Sequence, residues 1–237
     1  MQLLNVFSVA AMALSTLMPS VGAVPTGQLE ARYTMPNLKR LQSMMPKSGL
    51  APPTGMNLKF VGLGIGTQNY TCLTNNQTAV PDTTGAIAKL YDLGKRLDTD
   101  PLANKKISSI SGLALSFYNT PRLQDAWLKS QGYQQVLGDH FFTQKTPTFA
   151  LNRVPANPFP LLFVSKKNEV DAPKSACKGL KGEGAIKWLH LVDNGSSKGG
   201  VNTVYRLETA GGNKPATCKG RVGKSWEVPY VAQYWVY

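Results

Sequence analysis

Residues 185–209 read AIKWLHLVDNGSSKGGVNTVYRLET. On both sides of the turn-rich NGSSKGG, apolar and polar side chains alternate with period two, the pattern of a strand that buries one face. The stretch therefore predicts a β-hairpin, and it sets the expectation for the rest of the chain. Downstream, VPYVAQYWVY at 228–237 is made almost wholly of β-formers. Upstream, MNLKFVGLGIGTQNYTC at 56–72 is apolar and interrupted by glycine, as in a buried strand approached closely by a neighbour. GAIAKLYD at 85–92 is a shorter strand candidate.

Between Ile107 and Tyr118, Leu113, Leu115 and Phe117 alternate with Ala114 and Ser116, which predicts a further strand. One segment reads as a helix, with Thr120 as N-cap, Pro121 at the first helical position, Leu123, Ala126 and Trp127 on one face, and Gly132 as the stop. A shorter helix is expected to start at Thr99-Asp100-Pro101. The fold class that follows is all-β, a sandwich or barrel-like, with one or two short helices.

The N-terminus carries a different signal. Residues 1–23, MQLLNVFSVAAMALSTLMPSVGA, hold an apolar run from Leu3 to Leu17 and end on Val21-Gly22-Ala23, a small-residue cleavage site, so they read as a secretory signal peptide. The run is too short for a membrane span, which needs about 20 residues, and the C-terminus lacks the apolar tail of a lipid anchor. Residues 24–55 scatter Pro, Gly and Met without periodicity and read as a flexible leader, with Lys39-Arg40 as a candidate site at which a propeptide ending at residue 40 is removed. One β-rich domain is expected over 56–237.

The 26 Lys and Arg residues outnumber the 13 Asp and Glu, for a formal net charge of +13. Such a field favours polyanions, which outside a cell means acidic polysaccharides, anionic membranes or extracellular nucleic acid. From Lys166 to Lys224 the chain holds twelve basic and five acidic residues, so Lys178, Lys181, Lys219 and Arg221 are candidate ligand contacts. Of the three cysteines, Cys177 and Cys218 lie in Lys- and Gly-containing stretches that look like loops and are expected to pair, leaving Cys72 as a buried thiol at a strand end. Asn69, Asn76 and Asn194 head glycosylation sequons, with Asn76 and Asn194 the better exposed.

Several motifs argue against familiar chemistries. Gly62-Leu63-Gly64-Ile65-Gly66 has GxGxG spacing and runs on as strand, whereas a dinucleotide site needs GxGxxG opening into a helix, so no nucleotide cofactor is expected. Gly195-Ser196-Ser197-Lys198-Gly199 matches GxSxG but leads into a strand, and both histidines precede it, against the chain order of a hydrolase triad. Neither His140 nor His190 has cysteine or carboxylate partners at ligand spacing, so no metal site is expected. His140, between Asp139 and Phe141-Phe142, is the candidate catalytic residue; His190, alternating with Leu189 and Leu191, reads as facing away from the core. Glu183, Asp193, Glu208 and Glu227 could supply a carboxylate pair, but sequence does not say which two meet. In the last strand Tyr230, Tyr234 and Val236 fall on one face and Val231, Trp235 and Tyr237 on the other, so some rings are candidates for stacking on sugars.

Two blocks together, LKFVGLGIGTQNYTC at 58–72 and VNTVYRLETAGGNKPATC with VPYVAQYWVY at 201–237, resemble a secreted family of bacteria and filamentous fungi classed as a domain of unknown function. GAIAKLYD, LGDHFF, PTF and AIKWLHL lie between them in order. Fungal members are often labelled malate dehydrogenase, a label these residues do not support. The resemblance implies export and one β-rich domain, with no established activity. Gln68, Tyr70, His140, Arg206 and the Thr209-Ala210-Gly211-Gly212 turn match its pattern and mark where a ligand site should be sought.

The functional expectation is an exported, non-catalytic binding protein whose basic surface meets an acidic polysaccharide, a cell-wall component or a host surface, where a virulence-related role would fit. The competing expectation is a small secreted hydrolase of polysaccharide or ester.

Overall fold

The computed structural model describes residues 33–237. The expected signal peptide, 1–23, and the leader up to residue 32 lie outside the described residues. Eight strands run in chain order around a closed antiparallel barrel: β1 (Phe60–Cys72), β2 (Asp82–Asp92), β3 (Val136–Thr143), β4 (Thr146–Ala150), β5 (Leu161–Val170), β6 (Trp188–Asp193), β7 (Thr203–Gly211) and β8 (Lys224–Val236). Closure comes from β8, which pairs β1 along its whole length from Phe60↔Val236 to Cys72↔Lys224. A closed sheet leaves no edge on which copies could pair.

The glycines of GxGxG stand on the inward face of β1, and their role is packing. A Cβ on Gly64 would lie 2.5 Å from the Tyr234 ring, and one on Gly66 would lie 1.8 Å from the Ile87 carbonyl oxygen of β2. Only glycine lets wall and interior approach so closely.

The core has two compartments separated by the barrel wall. Inside lie Phe60, Ala88, Leu90, Phe149, Leu162, Val164, Val204, Tyr230, Ala232 and Tyr234. Outside, Val61, Leu63, Tyr205, Leu207, Val231, Trp235 and Tyr237 are covered by helices. Both faces of β8 are therefore buried from Tyr230 onward, and Tyr230, Tyr234, Trp235 and the adjoining Tyr237 are unavailable for stacking on a sugar.

Three helices connect β2 to β3: α2 (Gly94–Thr99), α3 (Ala103–Ser116) and α4 (Pro121–Gln131). The expected strand at 107–118 is instead the body of α3, which packs on β7, β8 and β1. Ile107, Ile110, Ser111, Ala114 and Leu115 are buried while Leu113 is 47% exposed, a spacing of three and four residues rather than two. Alternate leucines in a 3.6-residue period imitated a strand. A helix does follow Thr99-Asp100-Pro101, but it is α3, longer than α4 at 14 residues against 11 rather than shorter; Asp100 Oδ1 accepts the Leu102 N–H at 2.8 Å just before it begins. α4 ends on Gly132 in the left-handed conformation, φ 76°, as its sequence implies, although its buried anchor is Leu128 and Leu123 is exposed.

The segment read as a flexible leader is packed from residue 33 onward. A short helix, α1 (Lys39–Gln42), and the chain around it put Leu38, Leu41 and Leu50 into the outer core. Arg40 donates to the carbonyls of Leu97, Asp98 and Asp100 at 3.1, 2.6 and 2.9 Å, and Asp98 Oδ1 accepts the Leu41 N–H at 2.8 Å. Tyr205 donates its hydroxyl to Ala51 O at 2.8 Å. Single anchors separated by Pro and Gly hold this strap, which is why no periodicity announces it. Among the described residues no helix is long and apolar enough to cross a membrane.

The disulfide joins Cys72 to Cys218 and leaves Cys177 as an exposed thiol, which corrects the expected Cys177–Cys218 pairing. Cys72 ends β1 beside the start of β8, and the β7–β8 loop folds back over it: Gly223 N–H donates to Cys72 O at 2.7 Å. Cys177 instead sits against Gly112 of α3.

Candidate functional site

Strict up-and-down order places the β1–β2, β3–β4, β5–β6 and β7–β8 connections at one end of the barrel. They carry Lys145, Lys174, Lys178, Lys181, Lys187, Lys214, Lys219 and Arg221 against Asp171 and Glu183. Three of the loops are tied into one surface. Gly211 N–H donates to Cys177 O and Asn213 N–H to Gly184 O, both at 3.0 Å; Cys218 N–H donates to Ala79 O at 2.8 Å, and Lys214 Nζ to Pro81 O at 2.5 Å. The sequence candidates Lys178, Lys181, Lys219 and Arg221 are all exposed on this end.

The charges here are mostly uncompensated. Lys187 and Lys166 both bond Glu169, at 2.8 and 2.6 Å, and hold its carboxyl down to about 2. Lys187 also meets Asp171 at 3.6 Å. Lys178, Lys181, Lys219 and Arg221 form no ion pair with a described residue. Arg221 rests its guanidinium 4.6 Å above the Trp226 ring, a platform that sequence reading passed over.

Beneath this end, the other sequence candidates meet inside the barrel. Gln68 and Tyr70 descend from β1, His140 from β3, and Arg206 from β7 opposite Tyr234. Tyr70 donates to Gly212 O at 2.7 Å, which binds the Thr209–Gly212 turn to the barrel. The Tyr230 and Tyr234 hydroxyls bond each other at 2.8 Å, and Arg206 donates to Lys187 O through Nε and Nη2 at 3.1 and 3.0 Å. The Gln68 amide nitrogen is buried without a partner.

His140 is 3% exposed, and its Nδ1–H donates to Thr148 O at 2.9 Å. Burial pushes its pKa down to about 4, with a smaller push from the Arg206 charge, so the ring is neutral at ordinary pH. Burial pushes the Tyr70 phenol up to about 12 against the partial relief of Arg206, and raises Tyr230 and Tyr234 as well. All four pKa values move away from neutral pH, whereas acid–base catalysis at that pH is served by values near it. The cluster is a hydrogen-bonded polar plug within the barrel, under the basic end.

A family model described as protein of unknown function (DUF3455) matches residues 53–237. The chain belongs to this family. Comparison with curated proteins gave no match, and neither did comparison with solved structures. The DUF3455 match takes in all eight strands and α2–α4, so the plug and the basic end are both parts of the family domain, whereas α1 precedes it.

The remaining sequence candidates separate in space. Asn76 is exposed on the β1–β2 loop at the basic end, with Oδ1 accepting from Thr78 N–H and Oγ1 at 2.9 and 2.7 Å. Asn194 is exposed on the β6–β7 hairpin at the opposite end, and Asn69 is half-buried within β1. Ser197 of GxSxG accepts from Phe163 N–H at 3.0 Å in that hairpin, whereas His140 and His190 stand within β3 and β6, paired with Phe149 and Tyr205. His190, read as facing away from the core, is buried, with its ring stacked on Tyr205 at 4.4 Å. The groove along the strap, about 830 Å³, is lined by Lys39, Gln42, Lys47, Met45, Leu50 and Pro52 among others, and Gln42 is already engaged there, donating to Met56 O at 2.9 Å and accepting from Leu58 N–H at 2.7 Å.

Proposed function

We propose that this DUF3455 protein is an exported, non-catalytic binder of acidic polysaccharide, and that it engages its ligand with the basic end of the barrel. The observation that carries the reading is the convergence of Lys178, Lys181, Lys219 and Arg221, all exposed and without ion-pair partners among the described residues, on loops tied by the Gly211–Cys177 and Asn213–Gly184 backbone bonds and by the Cys72–Cys218 bridge. A cluster of uncompensated cations on loops tied to one another attracts polyanions, and ordered loops lower the cost of association. Arg221 on Trp226 adds a flat face on which a sugar ring could lie.

The secretory pattern of residues 1–23 and the disulfide support an extracellular setting, whether wall, matrix or host surface. Exposed Asn76 and Asn194 are the glycan acceptors this setting would use. Burial and neutrality of His140 weigh against the hydrolase alternative. The test is charge reversal: Lys178→Glu/Lys181→Glu and Lys219→Glu/Arg221→Glu should each weaken retention on pectate at low salt and leave the melting temperature unchanged. Undiminished retention by both variants removes the basic end from the account.

A further inference from the structure

A second site lies on the outer wall of the barrel, where α3 crosses β7. A cavity of about 280 Å³ opens there, lined by Ser108, Ser111 and Gly112 of α3, by Ser175 and Cys177 of the β5–β6 loop, and by Trp188 and Glu208. Three of its polar groups are unanswered. Ser111 is 2% exposed and Trp188 3%, yet the Ser111 Oγ and the Trp188 Nε1 have no hydrogen-bond partner. Glu208 has neither an ion pair nor a hydrogen bond among the described residues, and burial raises its pKa. Buried polar groups without partners are rare because each costs about 1–3 kcal/mol.

The backbone beneath the cavity is also distorted. β7 loses register with β8 between Leu207 and Ala210, and Glu208 within that bulge has φ 45°, a conformation that disfavours any side chain. Bulges of this kind re-aim a side chain, and here the residue carried by the strained position is a carboxyl group of the cavity wall. Thr209, next to it, is already satisfied, its hydroxyl donating to Ile186 O at 2.5 Å.

The chemistry of the three groups selects the ligand. An indole N–H only donates, a serine hydroxyl does either, and a carboxylate only accepts. An anion is repelled by Glu208. An ammonium answers Glu208 but cannot accept from Trp188. A hydroxyl accepts from Trp188 or Ser111 and donates to Glu208, and adjacent hydroxyls on one ring do both together. We propose that this cavity binds one ring of an uncharged polyhydroxy molecule, a neutral sugar or cyclic polyol, through Trp188, Ser111 and Glu208. The ligand class and the contacting residues differ from those of the basic end, so the two sites stand or fall separately.

The exposed Cys177 at the rim supplies a reporter. The full-length secreted protein is presented with D-glucose, D-galactose or myo-inositol at about 50 mM, where even millimolar binders saturate, and with D-glucuronate as the anionic control. Saturation-transfer NMR reads contact, and the rate of Cys177 alkylation by iodoacetamide reads occupancy of the cavity. At least one neutral probe should give transfer and slow alkylation; glucuronate, which the basic end can hold, should leave the alkylation rate unchanged. Ser111→Ala and Glu208→Gln should each weaken that probe about fivefold or more, whereas Lys219→Glu/Arg221→Glu should leave it unchanged. Absence of transfer from every neutral probe to the wild-type protein overturns the proposal and leaves the cavity to water. So does alkylation at the same rate with and without probe.

Discussion

The imidazole of His140 lies flat on the ring of Phe149, with centroids 4.1 Å apart and planes within 8°. Its Nδ1–H is committed to Thr148 O, and burial lowers its pKa to about 4 from the ordinary value of about 6.5. The unfolded chain therefore takes up a proton between these values that the folded protein refuses. Stability should be fully present above about pH 6.5, decline by up to about 3 kcal/mol as pH falls to about 4, and lose nothing further to this group below that. Denaturant unfolding between pH 7.5 and 4 measures this; a His140→Phe variant should show a flatter profile. Parallel profiles would mean that His140 protonates as readily in the folded state as in the unfolded one.

The bridge between Cys72 and Cys218 closes a loop of 146 residues, which by chain entropy alone restrains the unfolded state by about 5 kcal/mol. Alkylation without reduction should label one thiol, Cys177, as read by peptide mass spectrometry. Cys218→Ser should lower the melting temperature by several degrees, and Cys177→Ser should leave it within about a degree. Labelling of Cys72 would refute the pairing.

Arg40 is bonded to three carbonyls of the α2–α3 region, so the dibasic pair is held in ordered structure. Trypsin or a dibasic-specific protease should cut the folded wild-type protein slowly after residue 40. Arg40→Ala would remove that cleavage site, so the variant to use is Asp98→Ala, which deletes the acceptor of the Leu41 N–H and should speed cutting severalfold. Rapid cutting of the wild type would restore the reading of a removable leader.

At Gly64 a methyl group would intrude to 2.5 Å from the Tyr234 ring. Gly64→Ala should cost about 1–3 kcal/mol through displaced packing, visible in the midpoint of urea unfolding. Gly66→Ala should cost more, because it meets the Ile87 carbonyl of the backbone rather than a side chain that can turn away. A neutral outcome at both positions would leave the glycines without the packing role assigned to them.

The hairpin at 185–209 is legible because period-two patterning survives where one face meets the core, and the strands at either end of the domain because strands buried on both faces run as near-continuous apolar β-formers. Three things are not. Leu113 and Leu115 alternate within a helix, and the helical period emerges only when Ile107 and Ile110 are read with them. Barrel closure depends on β1 meeting β8 across more than 150 residues, which no local pattern encodes. The partner of Cys218 was hidden because the β7–β8 loop returns to the end of β1, whereas both stretches containing Cys177 and Cys218 look alike as loops. At the candidate site, the family pattern pointed to Gln68, Tyr70, His140 and Arg206, which do converge inside the barrel. Charge density pointed to the basic loops. Trp188 and Ser111 carried no signal, since an unpartnered polar atom exists only once the chain is folded.

The central claim is tested most directly by titrating salt into the purified protein bound to pectate, with neutral cellulose and dextran as controls, while assaying the supernatant for released fragments. The account predicts retention on the acidic polymer alone, falling steeply between about 50 and 500 mM salt as counterions compete for the basic end, with no fragments at any point. Retention that ignores salt, or fragments that appear in proportion to protein, would contradict it.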